Sequence, residues 1–538
     1  SEPFYRATGA DPLGLVRRRH FALRHRTLLD IDDELFGDLS RLDDQAAHGG
    51  IQGHGALITA LETARTGRLG DIVATIQGEQ DEVIRFPLHG VLVVQGGPGT
   101  GKTVVALHRA AYLLYSHRFP LQDQGVLVIG PNRLFIAYIE QVLPSLGESG
   151  VRLAVLSDLV VPRVRTEDLD TEDVAAVKGD LRMVELIGRA VRQRQRPLRE
   201  DIRIGFGVQN LGVTVGESEV IIKEARRRFR THNAARRFVE EEFFAALAES
   251  ARSEVSAEVV QDRTRWAQPV REALEWMWPV LTPAQLLHDF FGSLPLLRSA
   301  ARGLFDPDEA QRLHRPRADH ADEVVWTFTD APLLDEARSH LGHRPGRKTA
   351  DEVRTYGHIV VDEAQDLSPM EIRMVARRSL NGSMTLVGDI AQATGSWAHD
   401  SWEEVLDLLS MKREPSRREM TTGYRIPAPA MALAAKVLTE AAPDLEPPTA
   451  IRHEGDPPVI RSVQSVGESV AAAVQAELDA IEVGNVAVMR QHLQEAGVAD
   501  LEPDGAEPST ASATPDGPVP EDGDLLDSIL GGADGGPA

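Results

Sequence analysis

Nine residues, QGGPGTGKT (Gln95 to Thr103), do most to limit what this chain can fold into. They leave an apolar run, Val91 to Val94, and enter TVVALHRAAYLLY (Thr103 to Tyr115), whose apolar residues recur at helical spacing. Gly96, Gly97, Gly99 and Gly101 free the backbone for positive φ and for close approach to a ligand. From Gly96 to Gly101-Lys102-Thr103 the spacing is G-x-x-x-x-G-K-[ST], the pattern of a phosphate-binding loop. In that geometry the stretch Gly96, Gly97, Pro98, Gly99, Thr100 and Gly101 surrounds phosphates with main-chain N–H groups and a helix N-terminus. Lys102 then reaches the β- and γ-phosphates and the Thr103 hydroxyl holds Mg²⁺. The alternative is a plain glycine turn between a buried strand and a helix. Lysine is scarce, six in the whole chain, so a chance lysine at this one position is a poor explanation.

Composition narrows the rest. A chain of 538 residues with 42% apolar content has material for sizeable cores in about two to four domains. It contains no cysteine, which excludes disulfides and Cys-based zinc sites and suits a reducing cytoplasm, the expected location. No apolar run approaches the ~18 residues of a membrane span. The net charge of −24 argues against coating nucleic acid by bulk attraction, so any such contact must be local. Residues 181–240 carry 14 Lys/Arg against 7 Asp/Glu, either a solvated helix face or a phosphate- or acid-facing patch. The sequence opens at Ser1 without a methionine, which suggests a fragment or a processed product.

Along the chain, residues 1–70 look mixed, and α/β rhythm runs from 71 to 150. There TIQGEQDEVIRF reads as a helix, VLVVQ and GVLVIG as strands, and LFIAYIEQVLPSL as a helix. Alternation of this kind implies a parallel sheet with ligands at the carboxyl ends of its strands. From 151 to 355 the rhythm gives way to a charged, Arg-rich, mostly helical insertion, whose aromatic patch EWMWPVLTPAQLLHDFFGSL reads as core rather than a base-stacking platform. The sheet resumes over 356–413 with HIVVDEAQD and MTLVGD. A further mixed region, 414–490, includes VGNVAVM as a strand, and 491–538 reads as an acidic, disordered tail. In that tail DLLDSIL, Asp524 to Leu530, could form a short partner-binding helix.

HIVVDEAQD supplies what the loop lacks. An apolar strand ends in Asp362-Glu363, followed by Gln365 and Asp366. An aspartate at a strand's carboxyl end can hold Mg²⁺ through water, and the adjacent carboxylate can orient and deprotonate the water that attacks a γ-phosphate. Two acids after a strand usually face solvent or cap a helix. A phosphate loop in the same sheet pattern favours the catalytic reading.

These stretches, GGPGTGKT, VDEAQD and LVGDIAQAT, resemble the helicase motifs of superfamily 1, the UvrD/Rep/PcrA-like group. IQGEQ (Ile76 to Gln80) resembles the upstream glutamine motif, implying that Gln80 reads the adenine edge. VLVIGPNRLFIAYI (Val126 to Ile139) resembles the motif that lines the single-strand channel in these enzymes. Gln392 of GDIAQ matches the glutamine that senses the γ-phosphate. TTGYRIP (Thr421 to Pro427) resembles the N-Y-R motif, implying that Tyr424 stacks on adenine and Arg425 reaches the γ-phosphate; Gly423 stands where asparagine is usual. The implied fold is α/β: a RecA-like P-loop NTPase parallel sheet (71–150 and 356–413) interrupted by the helical insertion, with 414–490 the start of an incomplete second RecA-like domain. ATP and Mg²⁺ are the implied cofactors.

A closer resemblance is to the HelD, helicase-IV-like branch, RNA polymerase-associated ATPases of Gram-positive bacteria. EPFYRATGADPLGLVRRRHF, MWPVLTPAQLLHDFFGS and WTFTDAPLLDEARSHLG carry it. It implies core RNA polymerase as partner, which the chain remodels or recycles; a monomer is expected, though the sequence does not set the oligomeric state. It also leads one to expect an N-terminal coiled coil, and K-G-L-E-F-like and A-L-T-R-A-like motifs after Pro427; none of these is found, so the chain reads as a truncated or internally deleted relative. Two alternatives stand beside this. One is a 3′–5′ helicase or translocase on single-stranded DNA in repair. The other is a nucleotide-binding interaction protein with weak turnover, since loss of one transition-state arginine can lower the rate by about 10³-fold.

Overall fold

A computed structural model describes residues 14, 17–24, 27–35, 78–142 and 150–459, apart from 394, 410, 412, 444, 454 and 456. The chain divides into two units, Ser1–Asp456 and Pro457–Ala538, and every element below belongs to the first. VGNVAVM and DLLDSIL lie outside the described residues. Near the start, β1 (Arg17–Arg24) and β2 (Thr27–Leu35) form an antiparallel hairpin, with Arg17 opposite Leu35 and Arg24 opposite Thr27.

The centre is a mixed α/β body around a six-stranded parallel sheet. Its strands are β3 (Val91–Gly96), β4 (Val126–Ile129), β5 (Val151–Ala154), β10 (His358–Val361), β11 (Met384–Gly388) and β12 (Ser416–Met420), in the order β12-β3-β11-β10-β4-β5. VLVV, VLVI and HIVV are continuous apolar runs because both faces of the inner strands are covered. Val91, Val93, Leu127, Ile129, Ile359 and Val361 point to one core, which continues into the insertion. Leu92, Val94, Val126, Val128, Val360 and Val387 point to the other, packed on Val105, Ala106, Ala110 and Leu113 of the helix Lys102–Ser116. Each such valine, leucine or isoleucine contributes about 1.5–3 kcal/mol by leaving water.

Two strands fall outside the expected sheet segments. β5 begins at Val151 and β12 at Ser416, so the sheet runs past the expected limits at 150 and 413. Both are edge strands, and SRREM in β12 alternates half-buried and exposed residues, which removes the apolar run that marks the others.

Between β5 and β10 lies the insertion. It is mostly helical, with the small parallel pair β6 (Thr166–Asp168) and β9 (Trp326–Thr327) and the hairpin β7 (Ile202–Phe206) and β8 (Gln209–Val213). The aromatic patch is core, as its sequence suggested: Trp278, Phe290 and Phe291 are buried. Trp276 is half-buried, with the Arg196 and Arg199 guanidinium groups 3.6 and 3.5 Å from its ring centre. Two planar groups that close to one ring centre must lie on opposite faces.

Ion pairs tie the insertion to the sheet. On the helix Asp330–Leu341, Glu336 accepts from Arg373 Nε at 2.7 Å, and Asp335 accepts from Arg377 Nε at 2.7 Å and Arg378 Nη2 at 2.5 Å. Arg373 belongs to the helix Pro369–Ala376 that follows β10, and Arg377 and Arg378 come directly after it. Deeper in, the fully buried Arg109 donates to Thr385 Oγ1 at 2.9 Å and to the carbonyls of Val83 (3.0 Å), Phe86 (2.6 Å) and Pro87 (3.0 Å). It thereby joins the end of the helix over 78–85 to the helix that follows the glycine loop. Without a carboxylate beside it, burial lowers its pKa to about 10.

Candidate active site

The glycine loop lies at the carboxyl end of β3, and its shape needs its glycines at two points. Gly99 has φ +74° and Gly101 φ +86°, both left-handed. A Cβ on Gly101 would sit 2.3 Å from the Tyr424 hydroxyl, and one on Gly99 2.9 Å from the Arg425 Cβ. Thr100 is buried and donates through Oγ1 to Gly97 O at 2.9 Å, tightening the turn. Lys102 Nζ donates to Gly96 O at 2.7 Å and Gly97 O at 3.1 Å, so the ammonium is folded over the loop. The helix Lys102–Ser116 has no acidic residue of its own in its first turn, at its positive N-terminal end.

Thr103 joins this loop to the end of β10. Its Oγ1 donates to Asp362 Oδ2 at 2.6 Å across 259 positions of sequence. Asp362 is 4% exposed, and its other oxygen, Oδ1, is buried without a hydrogen-bond partner. Burial is the main reason its pKa rises to about 6; the Glu363 charge adds to the rise, while the Thr103 bond, the Glu363 main-chain N–H and Lys102 oppose it. Glu363 follows at φ +51°, the one non-glycine residue with positive φ among those described. Such backbone is worth about 1–3 kcal/mol of strain and gathers at functional sites. Its Oε2 accepts from Gln365 Nε2 at 2.8 Å.

Gln392 enters from the end of β11. Its Nε2 donates to Asp389 Oδ2 at 2.5 Å. Asp389 Oδ1 accepts from Gln95 Nε2 at 2.7 Å, and Gln95 Oε1 in turn accepts from Ile390 N at 3.0 Å and Trp402 Nε1 at 2.7 Å. Sequence reasoning gave no role to Gln95, Asp389 or Trp402. A polar residue closing the buried run VLVVQ was the one available signal, and it pointed to no partner.

After β12 the chain forms β13 (Thr422–Gly423), paired with β14 (Thr449–Ala450), and passes over the loop. Tyr424 N donates to Gly99 O at 3.1 Å, which lays Tyr424 and Arg425 against the glycine loop. Thr421 donates to Glu79 from its N (3.1 Å) and its Oγ1 (2.6 Å), holding the helix over 78–85 beside this segment. Gln80, the next residue on that helix, is half-buried, and it is its neighbour Glu79 that accepts the bonds from the segment. At Gly423 a Cβ would meet Pro98 O at an ordinary 3.6 Å, so the usual asparagine position has room for a side chain.

The chemistry of this crevice is a lysine, a left-handed glycine loop and a helix end on one side, and a hydroxyl-linked buried acid with an adjacent carboxylate on the other. No group of three or more His, Cys, Asp or Glu among the described residues is placed to hold a metal alone. Several arginines of 181–240 are engaged within the insertion: Arg226 on Gln195 O and Oε1, Arg194 on Asp289, Arg227 and Arg228 on Glu224. Among the described residues no helix is long and apolar enough to cross a membrane.

No curated protein matches the chain. The family model for the N-terminal domain of DNA helicase IV HelD matches residues 1–49. That match lies outside the crevice and is independent of its motifs, and it supports a HelD-like relationship for this chain.

Proposed function

We propose that this chain binds ATP with Mg²⁺ between the glycine loop and the end of β10, hydrolyses it, and uses the cycle as a HelD-type motor that remodels or recycles RNA polymerase. The observation that carries the reading is the 2.6 Å bond from Thr103 to Asp362, with a second, buried Asp362 oxygen left without a partner. A buried carboxylate oxygen in that condition is costly unless a cation or donor meets it. Mg²⁺ suits the donor set because it keeps several waters and takes few protein ligands.

In this reading Thr103 Oγ1 and Asp362, the latter through water, hold the metal, which neutralises charge on the β- and γ-phosphates. Lys102 turns from the Gly96 and Gly97 carbonyls to the same phosphates. Glu363 orients a water and takes its proton as the water oxygen bonds to the γ-phosphorus; the bond to the bridging oxygen breaks, and ADP carries that electron pair away. Gln392 faces the γ-phosphate, Arg425 stabilises its departing charge, Gln80 reads the adenine edge and Tyr424 stacks on the ring. The polymerase as partner, in preference to bare single-stranded DNA, draws support from the HelD-like match and the −24 net charge.

The test is ATP hydrolysis with and without single-stranded DNA, alongside capture on core RNA polymerase. The reading expects Mg²⁺-dependent hydrolysis, its loss in Lys102→Ala, and in Glu363→Gln retained ATP binding without turnover. Hydrolysis by Glu363→Gln at the parent rate would overturn the assignment of the water-activating group. DNA-stimulated hydrolysis without polymerase capture would overturn the polymerase reading in favour of a translocase.

A further inference from the structure

Gln365 is 2% exposed and lies where β10 and β11 end side by side. Its Oε1 accepts from Asp389 N at 3.2 Å. A main-chain N–H can only donate, so the amide oxygen must face Asp389 and the NH₂ group must face the other way. There Nε2 donates to Glu363 Oε2 at 2.8 Å, with Asp366 Oδ2 at 3.4 Å. The approach is close enough that a Cβ on Gly388 would lie 2.0 Å from Gln365 Oε1. Asp389 is fixed on its own account. Gln95 and Gln392 donate to its two carboxylate oxygens, and the donors Ile390 N and Trp402 Nε1 set the direction of the Gln95 amide.

One residue, Asp389, therefore holds Gln392 through its carboxylate and Gln365 through its main chain, and Gln365 holds Glu363. We infer that Gln365 is a positioning residue that aligns the Glu363 carboxylate with Gln392, so that the water-activating group and the γ-phosphate-facing amide are set together. The inference rests on the hydrolytic reading above and deepens it. Displacing Gln392 moves Asp389, and the Asp389 N–H carries the displacement to Gln365 and Glu363.

The experiment measures kcat and KM for ATP, and equilibrium binding of a fluorescent ATP analogue, in Gln365→Met, Gln365→Glu, Gln392→Ala and the Gln365→Met/Gln392→Ala pair. Met keeps the length and loses both hydrogen bonds. Glu keeps the acceptor toward Asp389 N but presents an acceptor to Glu363. Both single Gln365 variants should lower kcat by about 10- to 100-fold, the usual effect of removing a group that orients another. KM and analogue affinity should stay at the parent values, which also reports that the variants fold. The double variant should fall no further than the worse single, as for residues acting through one network. Parent-level kcat in Gln365→Glu, or fully multiplicative losses in the double variant, would overturn this inference alone if Glu363→Gln still abolishes turnover. Absence of hydrolysis by the unaltered chain would overturn the underlying reading and this inference with it.

Discussion

Two of the places where carboxylates are buried treat them in opposite ways. At the insertion seam, Glu336 is fully buried; burial alone would raise its pKa, but His340, Arg373 and Arg377 draw it well below the usual range. Asp330 behaves alike, with Lys178 and Arg315 outweighing its burial. At the end of β10, Asp362 is just as dry but has no cation paired with it: a hydroxyl bond, the Glu363 main-chain N–H and the Lys102 charge do not outweigh burial and the neighbouring acid, and its pKa moves up to about 6. A buried acid matched by cations fixes structure, although such pairs seldom add much beyond what an apolar contact would. A buried acid left unmatched destabilises the protein and persists where another requirement maintains it. The difference separates a seam from a site.

The largest effect is expected at the end of β10. Asp362→Asn removes the charge that would hold the metal and should lower ATP turnover by about 10³-fold or more. The same variant should melt at or above the parent temperature near pH 7, where burial of the charged form is unfavourable; a clear fall in melting temperature would contradict the contrast. At the seam the expected result reverses. Glu336→Gln takes the carboxylate from the part-exposed Arg373, while Arg377 keeps Asp335, and should destabilise the fold by about 2–3 kcal/mol, read by denaturant titration. A loss below ~1 kcal/mol would mean the seam charges are screened by water.

pH sharpens the same contrast. For Asp362 the folded pKa lies above the unfolded one, so its contribution is unfavourable above about 6 and is relieved as pH falls from about 6 toward 3.8. For Glu336 the folded pKa is depressed, so its stabilisation is present above the unfolded value of 4.5 and is lost as pH falls below it toward the folded pKa. Subtracting the Asp362→Asn stability curve from the parent curve should leave a term of up to about 3 kcal/mol that grows more unfavourable between pH 4 and 6. A flat difference would place that carboxylate in water. The smallest effect concerns where the insertion meets the segment after Gln392. A Cβ on Gly179 would lie 2.1 Å from Trp397 Nε1 and 2.8 Å from Ser368 Cβ, so Gly179→Ala should cost about 1–3 kcal/mol by overpacking. Unchanged stability would show that Trp397 swings clear.

Legibility followed the range of the interaction. Lys102, Thr103 and Asp362 were readable because a loop's spacing and an apolar strand are local, and a parallel sheet brings strand ends to one edge. The inner strands announced themselves for the same reason. β5 and β12 did not, since an edge strand needs no second apolar face. The bonds from Gln95 to Asp389 and from Arg109 to Thr385 were hidden because they join residues 294 and 276 positions apart through side chains common on any surface. Gln365 stood in plain view beside Glu363, but its second partner, Asp389 N, has no sequence signature. The left-handed Glu363 was equally unreadable, because positive φ announces itself only at glycine.

The most direct test is the Mg²⁺ dependence of nucleotide affinity, measured by titrating a fluorescent ATP analogue into the parent chain and into Asp362→Asn, with Mg²⁺ and with chelator. Binding should be tighter with Mg²⁺ in the parent, and that difference should be lost in the variant. Equal affinity with and without Mg²⁺ in the parent, or an undiminished Mg²⁺ effect in Asp362→Asn, would contradict this.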